Sequence, residues 1–162
     1  MGHWLVPDAV FGKLTEISPE FFYEKGIKAV LLDLDNTLLP WAEGIFPEES
    51  LRWIEEMKAA GLLLCLVSNN KPERVAQLAG ELGIPGISQA VKPRRKGFRQ
   101  ALRLLAVKPE ETAVVGDQIM TDVLGGNRAG LFTVLVNPLS PVEHKGTYFL
   151  RWLERILTGR RV

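Results

Sequence analysis

Four segments of the chain are almost continuously apolar and have the length of buried β-strands. They are residues 28–34 (KAVLLDL), 62–67 (LLLCLV), 112–116 (TAVVG) and 131–136 (LFTVLV). A weaker segment of the same kind lies near residues 87–91. Short, continuous apolar runs are typical of strands that are covered on both faces. The pattern therefore predicts a buried sheet built from these segments.

Segments with helical character separate the predicted strands. They cover residues 47–60, 72–83, 95–106 and about 119–129. Pro47 and Pro72 suit a first helical turn, and Gly61, Gly83 and Gly130 suit helix ends. Strands that alternate with helices indicate a parallel sheet with helices on both faces. We therefore expect an α/β fold with a doubly wound parallel sheet.

Length and composition favour one domain over residues 1–162. The chain has 46% hydrophobic and 24% charged residues, which is ordinary for a globular protein. Its one cysteine, Cys65, excludes an internal disulfide framework, and its mid-strand position suggests a core residue. Neither a transmembrane-length apolar run nor a plain secretory signal is present, so we expect a cytoplasmic protein. We also expect a C-terminal helix at about 148–158.

Polar residues follow each predicted strand of the central region. Asp33 and Asp35 end the first apolar run, Ser68 and Asn69 follow the second, and Lys92 follows the weak third. Asp117 and Asp122 come after the fourth, where Asp117 and Ser68 could also be a helix cap and a turn former. Ligands of open parallel sheets bind beyond the carboxyl ends of the strands. The pattern thus predicts that these side chains form one site.

The polar residues at the strand ends resemble the sequence motifs of the haloacid dehalogenase (HAD) superfamily of phosphatases. The stretch from Asp33 to Thr37 (DLDNT) resembles its first motif, and Ser68 after an apolar strand resembles the second. Lys92 and the stretch 116–122 (GDQIMTD) resemble the third and fourth. The resemblance covers about residues 28–136 and is closest to subclass III and to YqeG-type proteins, which are related to phosphatidylglycerophosphate phosphatases.

The resemblance implies a magnesium-dependent phosphomonoester hydrolase. Asp33 would be the nucleophile that forms an aspartyl-phosphate, and Asp35 the general acid and base. Mg²⁺ would bind to Asp33, to the backbone carbonyl of Asp35 and to Asp117, with Asp122 binding directly or through water. The phosphoryl oxygens would be held by Ser68, Asn69 and Lys92.

The spacing of the motifs leaves no room for a cap domain. Only 30 residues separate Thr37 from Ser68, and 23 separate Ser68 from Lys92. An open site suits a phosphate group on something large, although an oligomeric partner could also close it. The resemblance points to phosphatidylglycerophosphate, which would be converted to phosphatidylglycerol. A nucleotide, sugar or protein phosphate is the alternative.

The charge distribution favours peripheral contact with an anionic membrane rather than with nucleic acid. The net charge is only +1, yet the stretch from Lys92 to Arg103 contains six basic residues and no acidic one. The amphipathic stretch 148–161 could assist such contact or pack on the sheet. A solvated helix face is the plainer explanation of the basic stretch.

Two hypotheses from other functional classes are also compatible with the sequence. A phospho-accepting receiver domain also gathers acidic residues, a hydroxyl and a lysine around magnesium. The second aspartate, Asp35, lies where a general acid is needed and so favours turnover. A binding domain that has kept the fold and lost activity is less favoured, because all motif residues are present.

Overall fold

The computed structural model describes residues 4–41 and 43–140. Its six strands are β1 (Ala9–Phe11), β2 (Ala29–Leu32), β3 (Leu63–Val67), β4 (Gly86–Ile87), β5 (Thr112–Gly116) and β6 (Phe132–Val136). All neighbouring strands are parallel, in the order β1-β6-β5-β2-β3-β4. The chain runs outward from β2 to β4 and then returns to place β5 on the other side of β2. The strand order therefore reverses between β2 and β5.

Five α-helices accompany the sheet within the described ranges. They are α1 (Pro19–Glu24), α2 (Glu48–Ala59), α3 (Pro72–Leu82), α4 (Arg95–Leu105) and α5 (Leu124–Ala129). A π-helical turn, Ile119–Val123, precedes α5. The predicted helices therefore exist to within one residue, except that 119–129 is divided into this turn and α5.

Helices cover both faces of the sheet, as the continuous apolar strands predict. On β2, Val30 and Leu32 point to the layer that contains Trp53 and Met57 of α2, whereas Leu31 points to the opposite layer. That second layer contains Phe98 and Leu102 of α4. A large apolar side chain that becomes fully buried contributes about 1.5–3 kcal/mol. The doubly wound α/β fold is confirmed.

The amino-terminal elements β1 and α1 were not predicted. Strand β1 has only three residues and pairs only with β6, at the edge of the sheet. Such a short segment has no readable period, and its place depends on contacts with a distant strand. Asp8 provides one of these contacts, because its Oδ2 accepts a hydrogen bond of 2.8 Å from the backbone N–H of Thr133.

No cap domain lies between the motif residues of the described chain. The segment between β2 and β3 contains a loop and α2, and the segment between β3 and Lys92 contains α3 and β4. The predicted strand near 87–91 is reduced to the two residues of β4, which pair with the end of β3. The predicted helix at 148–158 lies outside the described residues.

Candidate active site

The predicted polar residues gather at the carboxyl edge of the sheet, at the reversal of strand order. Asp33 directly follows β2, Ser68 directly follows β3, and Asp117 directly follows β5. Lys92 lies in the loop between β4 and α4, and Asp122 lies in the π-helical turn. Because the strands are parallel, these loops leave the sheet on the same side.

A tight loop after β2 carries the first two acidic residues. Asn36 adopts a left-handed conformation with φ of 61°, which asparagine tolerates better than most residues. Its Oδ1 accepts hydrogen bonds of 3.2 Å from the backbone N–H groups of Trp41 and Ser140. Leu34 and Leu38 anchor the loop, since both are fully buried. The loop that carries Asp33 and Asp35 is thereby held by hydrogen bonds of Asn36 and by packing in the core.

Lys92 is the central cation of the site. Its Nζ donates hydrogen bonds of 2.6 Å to Asp33 Oδ1 and 2.7 Å to Asp122 Oδ1. Only 3% of the lysine side chain is exposed. Burial by itself would lower the pKa of Lys92, but the charges of Asp122 and Asp33 outweigh burial and hold this pKa above its usual value. Lys92 is therefore a buried, charged ammonium group.

Asp122 occupies a space that exists because residue 116 is glycine. A Cβ atom on Gly116 would lie 2.2 Å from Asp122 Oδ2, which is closer than any side chain allows. The same Oδ2 accepts a hydrogen bond of 3.3 Å from the backbone N–H of Gln118. The π-helical turn thus brings Asp122 back over the end of β5. π-Helical turns of this kind are frequent at functional sites.

Burial and a neighbouring negative charge leave the carboxyl group of Asp122 less acidic than usual. Burial, followed by the negative charge of Asp33, raises the pKa of Asp122, and the attraction of Lys92 opposes this shift. Both Lys92 and Asp122 therefore have a raised pKa, for different reasons. Two carboxylates raise the pKa of Lys92 against the effect of burial, whereas burial itself, together with the charge of Asp33, raises the pKa of Asp122.

Three carboxylates form a group with the donor chemistry of a divalent metal site. Asp33, Asp117 and Asp122 each offer one oxygen, and these oxygens lie within 4.8 Å of one another. Thr37 Oγ1 lies 3.3 Å from Asp33 Oδ2 and 3.4 Å from Asp117 Oδ1, so its hydroxyl links two of the three. Oxygen donors are the ligands that hard cations such as Mg²⁺ prefer. The residues present therefore fit a divalent metal ion.

Asn69 and Asn70, which follow β3, connect the other parts of the site. Asn69 Oδ1 accepts a hydrogen bond of 2.8 Å from the backbone N–H of Lys92, and its Nδ2 donates one of 3.3 Å to the Lys92 carbonyl. Asn70 Nδ2 donates to Ser68 Oγ at 2.9 Å and also to Asp35 Oδ2. Asn69 thus holds the backbone of Lys92, while Asn70 joins Ser68 to Asp35.

The Asp35 carboxylate lies outside the group of three and has its own cation. Asp35 Oδ1 accepts a hydrogen bond of 2.8 Å from Nη2 of Arg74, in the first turn of α3. The side chain of Asp35 is 13% exposed and that of Arg74 is 33% exposed. The expected binding of metal by the Asp35 carbonyl and of phosphate by Ser68 and Asn69 stays a prediction.

The sequence predicted no role in the chemistry for three residues that contact the predicted ones. Thr37 belongs to the first motif and Asn70 follows Ser68 and Asn69, so their positions were available signals. No local signal marked Arg74, because its partner Asp35 is 39 residues away in the chain. Cys65 is fully buried, as expected, and burial raises its pKa to about 12.

An exposed basic face lies on α4 and its N-terminal flank. We define it by its five cationic residues, Arg94, Arg95, Lys96, Arg99 and Arg103, all of which are exposed. None of them pairs with a carboxylate of residues 4–41 or 43–140. Four of them, with Gln100, line a groove of about 410 Å³. Within the described ranges, no helix combines the length and apolar character needed to cross a bilayer.

Comparisons of the sequence show relatives along nearly the whole chain. A family model described as haloacid dehalogenase-like hydrolase matches residues 44–130. The chain is 41% identical over 152 residues to the probable phosphatase YqeG of Bacillus subtilis, a match that covers 94% of this chain and 88% of that protein. It is 30% identical over 164 residues to the chloroplastic/mitochondrial phosphatidylglycerophosphate phosphatase 1 of Arabidopsis thaliana. That match covers 94% of this chain but only 46% of the plant protein, so the chain spans about half its length.

Comparison with solved structures supports the same fold. The crystal structure of a HAD-superfamily hydrolase from Ehrlichia chaffeensis matches with a TM-score of 0.60 at 14% identity, over 81% of this chain and 97% of that chain. At this identity the likeness concerns the fold alone. The sequence matches carry the family assignment and confirm the resemblance found in the motifs. The chain therefore belongs to the haloacid dehalogenase-like hydrolases, and its named phosphatase relatives are consistent with a hydrolase of phosphoric monoesters.

Proposed function

We propose that this protein is a magnesium-dependent phosphatase that hydrolyses phosphatidylglycerophosphate through an aspartyl-phosphate intermediate. The observation that carries the proposal is the environment of Asp33. Its two carboxylate oxygens contact Lys92 and Thr37, and it lies beside Asp117 and Asp122. Buried acidic residues are costly unless they are paired or bind a cation, so this grouping favours a reaction site over a structural role.

In the first half of the proposed reaction, Asp33 attacks the phosphorus atom and the bond to the leaving oxygen breaks. Asp35 donates a proton to that oxygen, so the product leaves as an alcohol. Lys92, Ser68 and Asn69 contribute to binding the phosphoryl oxygens. A positioned general acid contributes about 10²–10⁴-fold to the rate. The phosphoryl group is then bound covalently to Asp33.

In the second half, Asp35 accepts a proton from water while the water oxygen attacks phosphorus. The bond between phosphorus and Asp33 breaks, and inorganic phosphate leaves. Asn70 and Arg74 hold the two oxygens of Asp35 through both halves, which keeps its orientation constant. The position of Asp35, two residues after the nucleophile, favours this turnover over the receiver-like alternative.

A magnesium ion fits the carboxylates of Asp33, Asp117 and Asp122, together with the Asp35 carbonyl. When bound, it would neutralise charge on the phosphoryl oxygens. The charges of the site residues support a requirement for a bound cation. Four acidic side chains (Asp33, Asp35, Asp117 and Asp122) are accompanied by two contacting cations, Lys92 and Arg74.

Removing the metal is expected to abolish turnover and lower thermal stability. Excess chelator should stop phosphate release, and added Mg²⁺ should restore it. Because the ion would bind only the folded state, Mg²⁺ at about 100 times its dissociation constant should stabilise the fold by about 2.7 kcal/mol. Calorimetry with and without Mg²⁺ measures this shift in melting temperature. Asp117→Asn is the matched variant, in which most of the shift should disappear. Full activity in excess chelator would refute the metal requirement.

The lipid substrate is supported by the plant relative's name and by the absence of a cap among the described residues. The basic face on α4 adds a means of contact with an anionic membrane. Helix α4 begins three residues after Lys92, so its N-terminal end lies next to the site. Each basic residue near an anionic leaflet is worth about 1 kcal/mol and is screened by salt. The proposal therefore includes transient, peripheral membrane contact.

Reversing two charges of the basic face is expected to weaken vesicle binding but not the chemistry. The double variant Arg95→Glu/Arg99→Glu should bind phosphatidylglycerol vesicles about 10-fold or more weakly, as expected from about 1 kcal/mol per lost charge. Vesicle sedimentation measures binding, and the loss should shrink at high salt. Hydrolysis of p-nitrophenyl phosphate should be unchanged. The matched control Lys13→Glu/Lys25→Glu alters the net charge equally at exposed positions outside the basic face. Equal losses in both double variants would contradict a role specific to the basic face.

A further inference from the structure

Arg74 is a cation of the site, and the proposed mechanism gives it only the role of holding Asp35. Its Nη2 donates to Asp35 Oδ1 at 2.8 Å and to the carbonyl oxygen of Glu43 at 3.3 Å. Both of these bonds come from the same nitrogen. Its Nη1 and Nε have no hydrogen-bond partner among residues 4–41 and 43–140. Since a guanidinium group has five N–H donors in a fixed plane, Arg74 keeps donors available for a ligand.

The exposure of Arg74 distinguishes it from Lys92. One third of the Arg74 side chain is accessible, whereas only 3% of the Lys92 side chain is. Lys92 contacts two carboxylates within the site, whereas Arg74 contacts Asp35 and is more exposed than Asp35. Asp35 is also held by Asn70, so Arg74 is not its only partner. These contacts place a partly solvated cation beside the residue that faces the leaving group.

We infer that Arg74 binds a second anionic group of the substrate, namely a phosphodiester separated from the scissile phosphate by a short polyol. The inference rests on the proposed function, in which Asp35 protonates the leaving oxygen. The carbon chain on that oxygen then begins beside Asp35, in the neighbourhood of the guanidinium that contacts Asp35. In phosphatidylglycerophosphate, one three-carbon glycerol unit separates the monoester from the diester. Hydrogen bonds from a charged guanidinium group to phosphate oxygens are strong, and the N–H groups on Nη1 and Nε of Arg74 are available to make them.

The test compares two soluble substrates in which the scissile phosphate is attached to the same kind of glycerol unit. Short-chain phosphatidylglycerophosphate, used as a monomer, carries the diester, and glycerol 3-phosphate lacks it. The wild-type protein should prefer the first by about 10–100-fold in kcat/KM, the scale of charge-assisted hydrogen bonds, mainly through a lower KM. In Arg74→Gln this preference should fall to nearly one. Both substrates should also lose some kcat, because Asp35 loses a partner.

Two further variants test whether Arg74 recognises the diester, rather than only positioning Asp35 or adding positive charge near the site. Arg74→Lys keeps the positive charge but loses the planar guanidinium group, so part of the preference for the diester substrate should survive. Lys71→Gln removes an exposed cation directly before α3, and should keep the full preference. Lys71 forms no ion pair with residues 4–41 or 43–140. Because the substrates are monomeric, membrane docking through the basic face on α4 does not enter the comparison.

The outcomes distinguish the inference from the proposed function. If Arg74→Gln lowers kcat equally for both substrates and the preference is unchanged, Arg74 only positions Asp35 and the inference is overturned. A wild-type protein that hydrolyses both substrates without preference also overturns it, while phosphatase activity stands. If neither these two substrates nor p-nitrophenyl phosphate is hydrolysed, the proposed function fails and the inference fails with it.

Discussion

Replacing Asp33 with asparagine is expected to lower kcat by about 10⁴-fold or more while the fold is retained. Asparagine has nearly the same shape, so it can keep the contact with Thr37. It lacks the negative oxygen that would attack phosphorus, and losses of this size follow removal of a catalytic nucleophile. Phosphate release from p-nitrophenyl phosphate measures the effect. Circular dichroism and the melting temperature would show that the variant is folded.

Trapping the intermediate makes the test of Asp33 more specific. Acid quenching during turnover of a radiolabelled substrate should leave phosphate bound to the wild-type protein and none bound to Asp33→Asn. Asp8→Asn is the control, since Asp8 lies at β1, away from the site, and contacts Thr133. This control should retain turnover and the trapped phosphate. A phosphorylated Asp33→Asn protein with ordinary turnover would place the nucleophile elsewhere.

Replacing Lys92 with methionine is expected to lower the free energy of unfolding by about 3–5 kcal/mol, in addition to reducing activity. Methionine keeps the length of the side chain but leaves Asp33 and Asp122 without their shared cation. Removing one partner of a buried ion pair costs this much because the remaining charge stays buried and uncompensated. Urea unfolding in excess chelator measures the change, since a bound divalent ion would replace part of the lost charge.

A double variant shows whether charge causes the loss of stability at Lys92. Adding Asp122→Asn removes one uncompensated carboxylate and keeps an oxygen that can accept from the backbone N–H of Gln118. Lys92→Met/Asp122→Asn should therefore be more stable than Lys92→Met alone and remain inactive. Arg99→Met, an exposed change on the basic face, should alter stability by no more than about 0.5 kcal/mol. If the Lys92 and Arg99 variants were equally stable, the buried ion pairs would not carry the stability assigned to them.

The sequence by itself determined the central part of the fold and predicted which residues gather at the candidate site. Strands β2, β3, β5 and β6 were predictable because a strand covered on both faces must be apolar at every position. Asp33 and Asp35 were predicted to share a site because two acidic residues in an otherwise buried apolar run are too costly to be incidental. Asp117 could also have been a helix cap, and its position after a strand and the motif resemblance placed it in the predicted site. The helices of the central region followed from proline and glycine at their ends, which restrict or release the backbone locally.

The tertiary structure alone decided which of these residues meet, and what else joins them. Lys92 contacts Asp122 across 30 residues of sequence, and Arg74 contacts Asp35 across 39. Such pairs depend on the order of the strands and on the turn of each loop, which no local pattern contains. Two other features also depend on tertiary contacts. They are the three-residue strand β1 and the missing side chain at Gly116, which leaves space for Asp122. Hydrophobic periodicity reports whether a residue is buried, whereas the partner of a buried charge is selected by packing between segments that are distant in the chain.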